Sequence, residues 1–92
     1  MDKNYVDTIS NVSVETTRTA HEGLLRLSQR EREILKFMLN GHTSKQIARD
    51  IGISHRTVDV HRQHILLKTG TRTLIDLMRA ISAIERAGLA VR

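Results

Sequence analysis

The chain has 92 residues, 39% of them apolar, and a net charge of +5. That length holds one domain rather than two, and one small enough for a second copy to be a natural source of added stability. With no cysteine, no hydrophobic stretch behind residues 1–5 and no apolar run near the roughly 20 residues a membrane helix needs, the composition argues against disulfides, thiolate metal sites, a signal peptide and a membrane span, and fits a cytoplasmic protein.

Residues 1–22 are rich in Thr, Ser, Asn and Asp, with scattered apolar residues. They read as a flexible N-terminal tail or linker, with a helical stretch over 14–25 as a further possibility, ahead of a folded domain over 23–88. From Leu27 onward the helix punctuation is regular. Ser28 followed by Glu31 is a capping box, Ile34, Leu35, Met38 and Leu39 follow with helical spacing, and Asn40-Gly41 ends the helix. Thr43 and Gln46 repeat the box ahead of Ile47, Ala48 and Ile51, and Gly52 ends that shorter helix. Ser54 caps a third helix, about 55–69, which stops at Gly70. Thr73 with Asp76 opens a fourth, with a stripe of Leu74, Leu77, Met78, Ile81 and Ile84, and Gly88 ends it. The expected fold is all-α: a compact four-helix domain with a flexible tail. Tyr5 and Phe37 are the only aromatic residues, so its core is expected to consist of Ile, Leu, Val and Met.

The charge is unevenly spread along these elements. Residues 1–40 carry six basic and six acidic groups, whereas residues 41–92 carry nine and four, so the whole excess of five falls in the second part. A basic half-domain points to a polyanionic partner, against the plainer reading of a solvated surface. The predicted second and third helices are joined by only Ile51-Gly52-Ile53-Ser54, the short glycine-containing turn of a helix-turn-helix unit, whose second helix enters the DNA major groove.

At about 100° per residue, Val58, His61 and Ile65 share one side of the third helix, and Arg56, Asp59, Val60, Gln63 and Leu67 the other. The polar members of the second group sit toward the helix N-terminus, which goes first into the groove. There Gln63 matches an adenine edge, Asp59 accepts from a cytosine N4, and Val60 packs on a thymine methyl. Lys45, Ser54, His55, Arg56, Thr57, Arg62 and Lys68 flank this face as candidate phosphate contacts; Arg49 is a weaker one.

No metal or other cofactor is expected. His61 and His64 stand three apart, but neither cysteine nor a nearby acid completes a site, and a satisfied core role suits His61 better. Ser28, Ser44 and Ser54 are accounted for as caps or first-turn residues, and no pair suited to acid–base or nucleophilic work is visible, so an enzyme is not expected.

The segments Leu27-Ser28-Gln29-Arg30-Glu31-Arg32-Glu33-Ile34-Leu35, Ser44-Lys45-Gln46-Ile47-Ala48 and Ile51 through His61, with Ile65, Lys68 and Gly70 after them, resemble the LuxR-type domain. That domain also forms the output end of FixJ- and NarL-like response regulators, and the FixJ-like branch is the nearer in pattern. The resemblance covers about residues 24–87. It implies a four-helix domain whose third helix reads the major groove, with Asp59, Val60 and Gln63 at the bases, and a fourth helix that commonly serves as a dimer surface.

Ile75 lies off the apolar stripe of that last helix, beside Arg79 and Ser82 and with Met78 at the edge, so these four are the candidate dimer contact. A homodimer would read an inverted repeat. Thr69 and Thr71 stand where the family usually carries Leu or Met and Val, which predicts looser packing after the third helix. Asp59 replaces a more usual Glu or Lys, so no particular DNA sequence carries over. The function implied is sequence-specific binding of double-stranded DNA to regulate transcription, by a stand-alone regulator or the output end of a two-domain one. The alternative is a protein-interaction module that contacts RNA polymerase or another regulator through the same fold.

Overall fold

Every helix among the described residues starts from a hydroxyl. In a computed structural model that describes residues 13–89, Ser13, Ser28, Thr43, Ser54 and Thr73 each accept a hydrogen bond from the backbone N–H three residues on. This satisfies a donor that the first helical turn leaves unpaired. The helices so begun are α1 (Val14–Leu25), α2 (Gln29–Leu39), α3 (Ser44–Ile51), α4 (His55–Thr69) and α5 (Leu74–Arg86). No strand occurs among the described residues, so the all-α class holds.

The four expected helices are all present, with both capping boxes closed in both directions. Ser28 N–H donates to Glu31 Oε1 at 2.8 Å and Thr43 N–H to Gln46 Oε1 at 2.8 Å. The difference is α1, a fifth helix. Residues 14–22 belong to it and not to a flexible tail, and the boundary expected at residue 23 falls inside it. The tail expectation for residues 1–12 lies outside the described residues. α1 matches the helical stretch over 14–25 that the sequence offers as a further possibility, and its signal is weak because Thr16, Thr17 and Thr19 are poor helix formers. Its buried face is also small, only Ala20, Gly23 and Leu24.

Two aliphatic residues of α1, Ala20 and Leu24, join a core that otherwise comes from α2 to α5 and Leu27. Ile34, Met38, Ile47, Val58, Ile65, Leu77 and Ile84 are its largest apolar members. Phe37 stays half-buried, its ring edge-on to His42 with centroids 5.3 Å apart, so the core is aliphatic as expected. Met78 departs from its expected place in the α5 stripe and is 44% exposed. α4 packs against α1, α2, α3 and, more slightly, α5, so the other helices form a cradle behind it.

Thr69 is wholly buried at the end of α4. Its hydroxyl donates to the Ile65 carbonyl at 2.8 Å and lies 2.9 Å from the Thr71 hydroxyl. The two threonines that depart from the family pattern thus satisfy each other's neighbourhood, and the polar group is buried without loss.

α1 reaches α4 through a glycine. A Cβ on Gly23 would fall onto the Lys68 carbonyl and stand 2.7 Å from Thr69 Cα. Both obstacles are backbone, so neither can swing aside. Gly23→Ala should therefore lower stability by about 2 kcal/mol, although alanine would favour an exposed helix by up to about 1 kcal/mol. Thermal unfolding followed by circular dichroism checks the sign. A raised midpoint would mean that α1 does not lie against α4.

Candidate nucleic-acid interface

The turn between α3 and α4 is tight because Gly52 takes the left-handed conformation, φ 73° and ψ 35°. Its N–H and that of Ile53 both donate to the Ala48 carbonyl, at 2.9 and 3.1 Å, which closes α3 at once. Ile53 packs half-buried against the core, and Ser54 then starts α4. A side chain at residue 52 would meet no neighbour, so the constraint there is backbone conformation alone.

On α4, Val58 and Ile65 are fully buried, as expected. His61 is only half-buried, and its Nδ1 is buried without a hydrogen-bond partner, so it is not the satisfied core histidine the sequence suggests. The opposite side presents Arg56, Asp59, Val60, Gln63 and Leu67, all exposed, as one continuous strip. Val60 at 44% and Leu67 at 75% make this strip more apolar than a merely solvated helix face.

Most candidate phosphate contacts gather around the N-terminus of α4. Ser54, His55, Arg56 and Thr57 occupy its cap and first turn, and all are exposed. The Ser54 hydroxyl accepts from Thr57 N–H at 3.0 Å and lies 2.7 Å from the Thr57 hydroxyl. Lys45 is exposed in the first turn of α3. Arg62 is half-buried, with Nη1 buried and without a hydrogen-bond partner. Positive helix-end dipole and cations share this end, a favourable setting for anions.

Two of the basic candidates also have acidic partners inside the chain. His55 Nε2 lies 3.5 Å from Asp59 Oδ2, one turn along α4. Lys68 Nζ donates to Glu31 Oε1 at 2.8 Å across 37 residues of sequence, which makes it a tether to α2 before anything else. The Glu31 side chain is 5% exposed, and His64 Nδ1 stands 3.9 Å from its other oxygen. Burial pulls the Glu31 pKa up. The Lys68 hydrogen bond, the Ser28 N–H, the Lys68 charge and the Ser28 hydroxyl pull it down and win, so it lies below the ordinary carboxylate value. No local signal in the sequence pairs Glu31 with Lys68; the capping box accounts for Glu31 completely on its own.

On α5, Ile75, Met78, Arg79 and Ser82 line one shallow depression together with Arg86, and Ile75 is 62% exposed. Among the described residues, no group of three or more His, Cys, Asp or Glu side chains is placed to hold a metal ion, and no helix is long and apolar enough to cross a membrane.

The family model for "bacterial regulatory proteins, luxR family" matches residues 25–81, which takes in α2, α3, α4 and the first part of α5. The chain belongs to the luxR family. Similar proteins include the transcriptional regulatory protein FixJ of Azorhizobium caulinodans, 47% identical over 58% of this chain and 25% of its own length. The transcriptional regulatory protein TdiR of Thauera aromatica is 47% identical over 63% of the chain and 26% of its own length. FixJ of Rhizobium meliloti is 36% identical over 76% and 34%. The chain thus spans about a quarter to a third of the length of these relatives. No solved structure matches it. The luxR match begins at the last residue of α1, so that helix lies almost wholly outside it.

The Glu31 site carries a pH signature. A carboxyl whose folded pKa is lowered binds fewer protons when folded, so its contribution to stability is complete above the unfolded value of about 4.3. It is lost as the pH falls through the lowered folded value. Glu31→Gln should flatten this acid limb, measured as urea midpoints between roughly pH 6 and 3. An unchanged slope would show that the carboxylate is not held by Lys68 and Ser28.

Proposed function

We propose that this luxR-family domain binds double-stranded DNA sequence-specifically to regulate transcription, with α4 in the major groove. The observation that carries the proposal is the exposed strip on α4. It places Asp59, Val60 and Gln63 side by side, with Arg56 among them and the hydroxyls of Ser54 and Thr57 at its leading end. Gln63 offers a bidentate amide to adenine, and Val60 an apolar contact to a thymine methyl. Lys45, Arg56 and Arg62, with the Ser54 and Thr57 hydroxyls, are proposed to fix the approach through phosphates. Lys68 is proposed to act first as the tether that sets the attitude of α4. In this account the chain is a binding protein and not an enzyme, and over the luxR-matched residues 25–81 it corresponds to the DNA-binding end of the larger regulators it resembles.

The depression on α5 supports a second element of the proposal, a homodimer. Ile75 and Met78 give it an apolar centre, and Arg79 and Ser82 a polar rim. A single helix face is small, so the contact is proposed to be weak without DNA. A two-fold pair would set its reading helices about 34–36 Å apart, which calls for an inverted repeat with half-sites one helical turn apart.

Three substitutions separate these roles. Arg56→Ala should weaken binding to all duplexes alike and reduce the slope of log K against log salt by about one charge. Gln63→Ala should cost about 1–3 kcal/mol at one base pair and leave random DNA bound as before. An equal loss on every sequence would reduce Gln63 to a backbone contact. Ile75→Glu should abolish cooperative occupancy of a two-half-site duplex in gel shifts, while an isolated half-site is bound as by wild type. Unchanged cooperativity would remove the α5 face as the dimer contact.

A further inference from the structure

α4 opens on a histidine and carries an aspartate one turn later. His55 Nε2 and Asp59 Oδ2 are 3.5 Å apart, and the two side chains remain 50% and 56% exposed. Nothing about this pair favours the helix itself. An i,i+4 pair supports a helix better when the acid comes first, and here the base does. A basic side chain in the first turn also faces the positive end of the helix dipole. Exposed pairs of this kind add little stability in any case. The ends of α4 otherwise follow their local rules, from the Ser54 cap to the left-handed Gly70. Arg56 shares the breach in the same first turn; such departures mark a turn suited to function, and this turn leads the strip proposed to enter the groove.

We infer that His55 is a specificity-determining residue that acts through Asp59: the two stand within ion-pair reach but without a hydrogen bond in the free chain, and as the groove displaces water the imidazole closes on Oδ2 and leaves Oδ1 as a single acceptor directed at a base edge. The inference rests on the reading of α4 as the major-groove helix. An ionised carboxylate can only accept. In the major groove cytosine offers only its N4 amino donor, and guanine and thymine offer acceptors. Adenine sets an N7 acceptor beside its N6 donor. A carboxylate pinned with one free oxygen therefore favours cytosine, is repelled by guanine and thymine, and meets adenine less well because N7 lies beside the N6 donor. Without His55, the short Asp59 side chain rotates, retains water on both oxygens, and meets the DNA phosphates as an unshielded like charge. Displacement of water from the groove strengthens the His55–Asp59 contact when it is needed, so specificity depends on it more than stability does.

The test uses the full chain and a duplex that wild type selects from random DNA. The base pair at which Asp59→Ala changes preference is then varied through all four possibilities, and relative affinities are measured for wild type, His55→Ala, His55→Gln, Asp59→Ala and the double variant His55→Ala/Asp59→Ala. Wild type should favour cytosine by about tenfold or more. His55→Ala should bring that ratio down to the Asp59→Ala level, and the double variant should go no lower. His55→Gln, whose amide can still donate to Oδ2, should restore most of the ratio. Preference at the base pair sensitive to Gln63→Ala should stay as in wild type. If His55→Ala weakens all four duplexes by one factor and keeps the ratio, His55 is a phosphate contact and the inference is overturned alone. If wild type selects no sequence, the major-groove reading falls and the inference falls with it.

Discussion

The Glu31 carboxylate is taken out of water at the junction of α2 and α4, which is tolerable only if every lone pair facing the protein finds a donor. The Ser28 N–H and the Lys68 ammonium supply them for Oε1, both at 2.8 Å, and His64 Nδ1 stands 3.9 Å from Oε2. That requirement ties the start of one helix to the last turn of another. Were Lys68 drawn away, Glu31 would be left buried with its charge unmatched, so α4 cannot roll or slide without a cost paid at α2. The strip that carries Asp59, Val60 and Gln63 is aimed by this contact, although none of the three touches it.

α4 is short of stabilising contacts on its outer side, which suits a helix proposed to meet another molecule. Its support comes from behind. α1 lies against its C-terminal turn at Gly23, α2 holds it through Lys68, and α3 sets its entry angle through Gly52 and Ile53. Thr69 closes the arrangement by turning its hydroxyl back to its own helix, which lets a polar residue occupy the centre of an aliphatic core. Most features that fix the helix are thus at its back and its C-terminal end, with Gly52, Ile53 and the Ser54 cap at its start, and those proposed to bind are at its front and N-terminus. Ser54 and Thr57 belong to both sets through the cap hydrogen bond that joins them.

Much of this was legible in the sequence, because capping is local chemistry. Ser28 with Glu31, Thr43 with Gln46, Ser54, Thr73 and the glycines after each helix declare its start and end within a few residues, and the four expected helices follow them. The helical wheel likewise separated Val58 and Ile65 from the exposed strip, because burial on a regular helix follows its period. What stayed hidden, or faint as the stretch over 14–25 did, depends on distant parts of the chain. α1 has weak propensity and a narrow buried face, and its helix is secured by contacts with α4 and α5. The Lys68 tether spans 37 residues and looks like any surface lysine until its partner is seen. His61 was placed correctly by angle, but whether its ring nitrogens find partners depends on side-chain detail that periodicity does not contain.

The central claim is that the exposed strip and leading end of α4 form the DNA surface. Amide chemical-shift mapping during titration with a single selected half-site tests it most directly, because one half-site leaves α5 without a partner to perturb it. The account predicts that the largest changes fall on Ser54 to Gln63 and on the first turn of α3 around Lys45, with α1 and the Ile75 side of α5 near their free positions. Changes concentrated instead along the groove between α1 and α5, at Val14, Arg18 and Ala83, would contradict it.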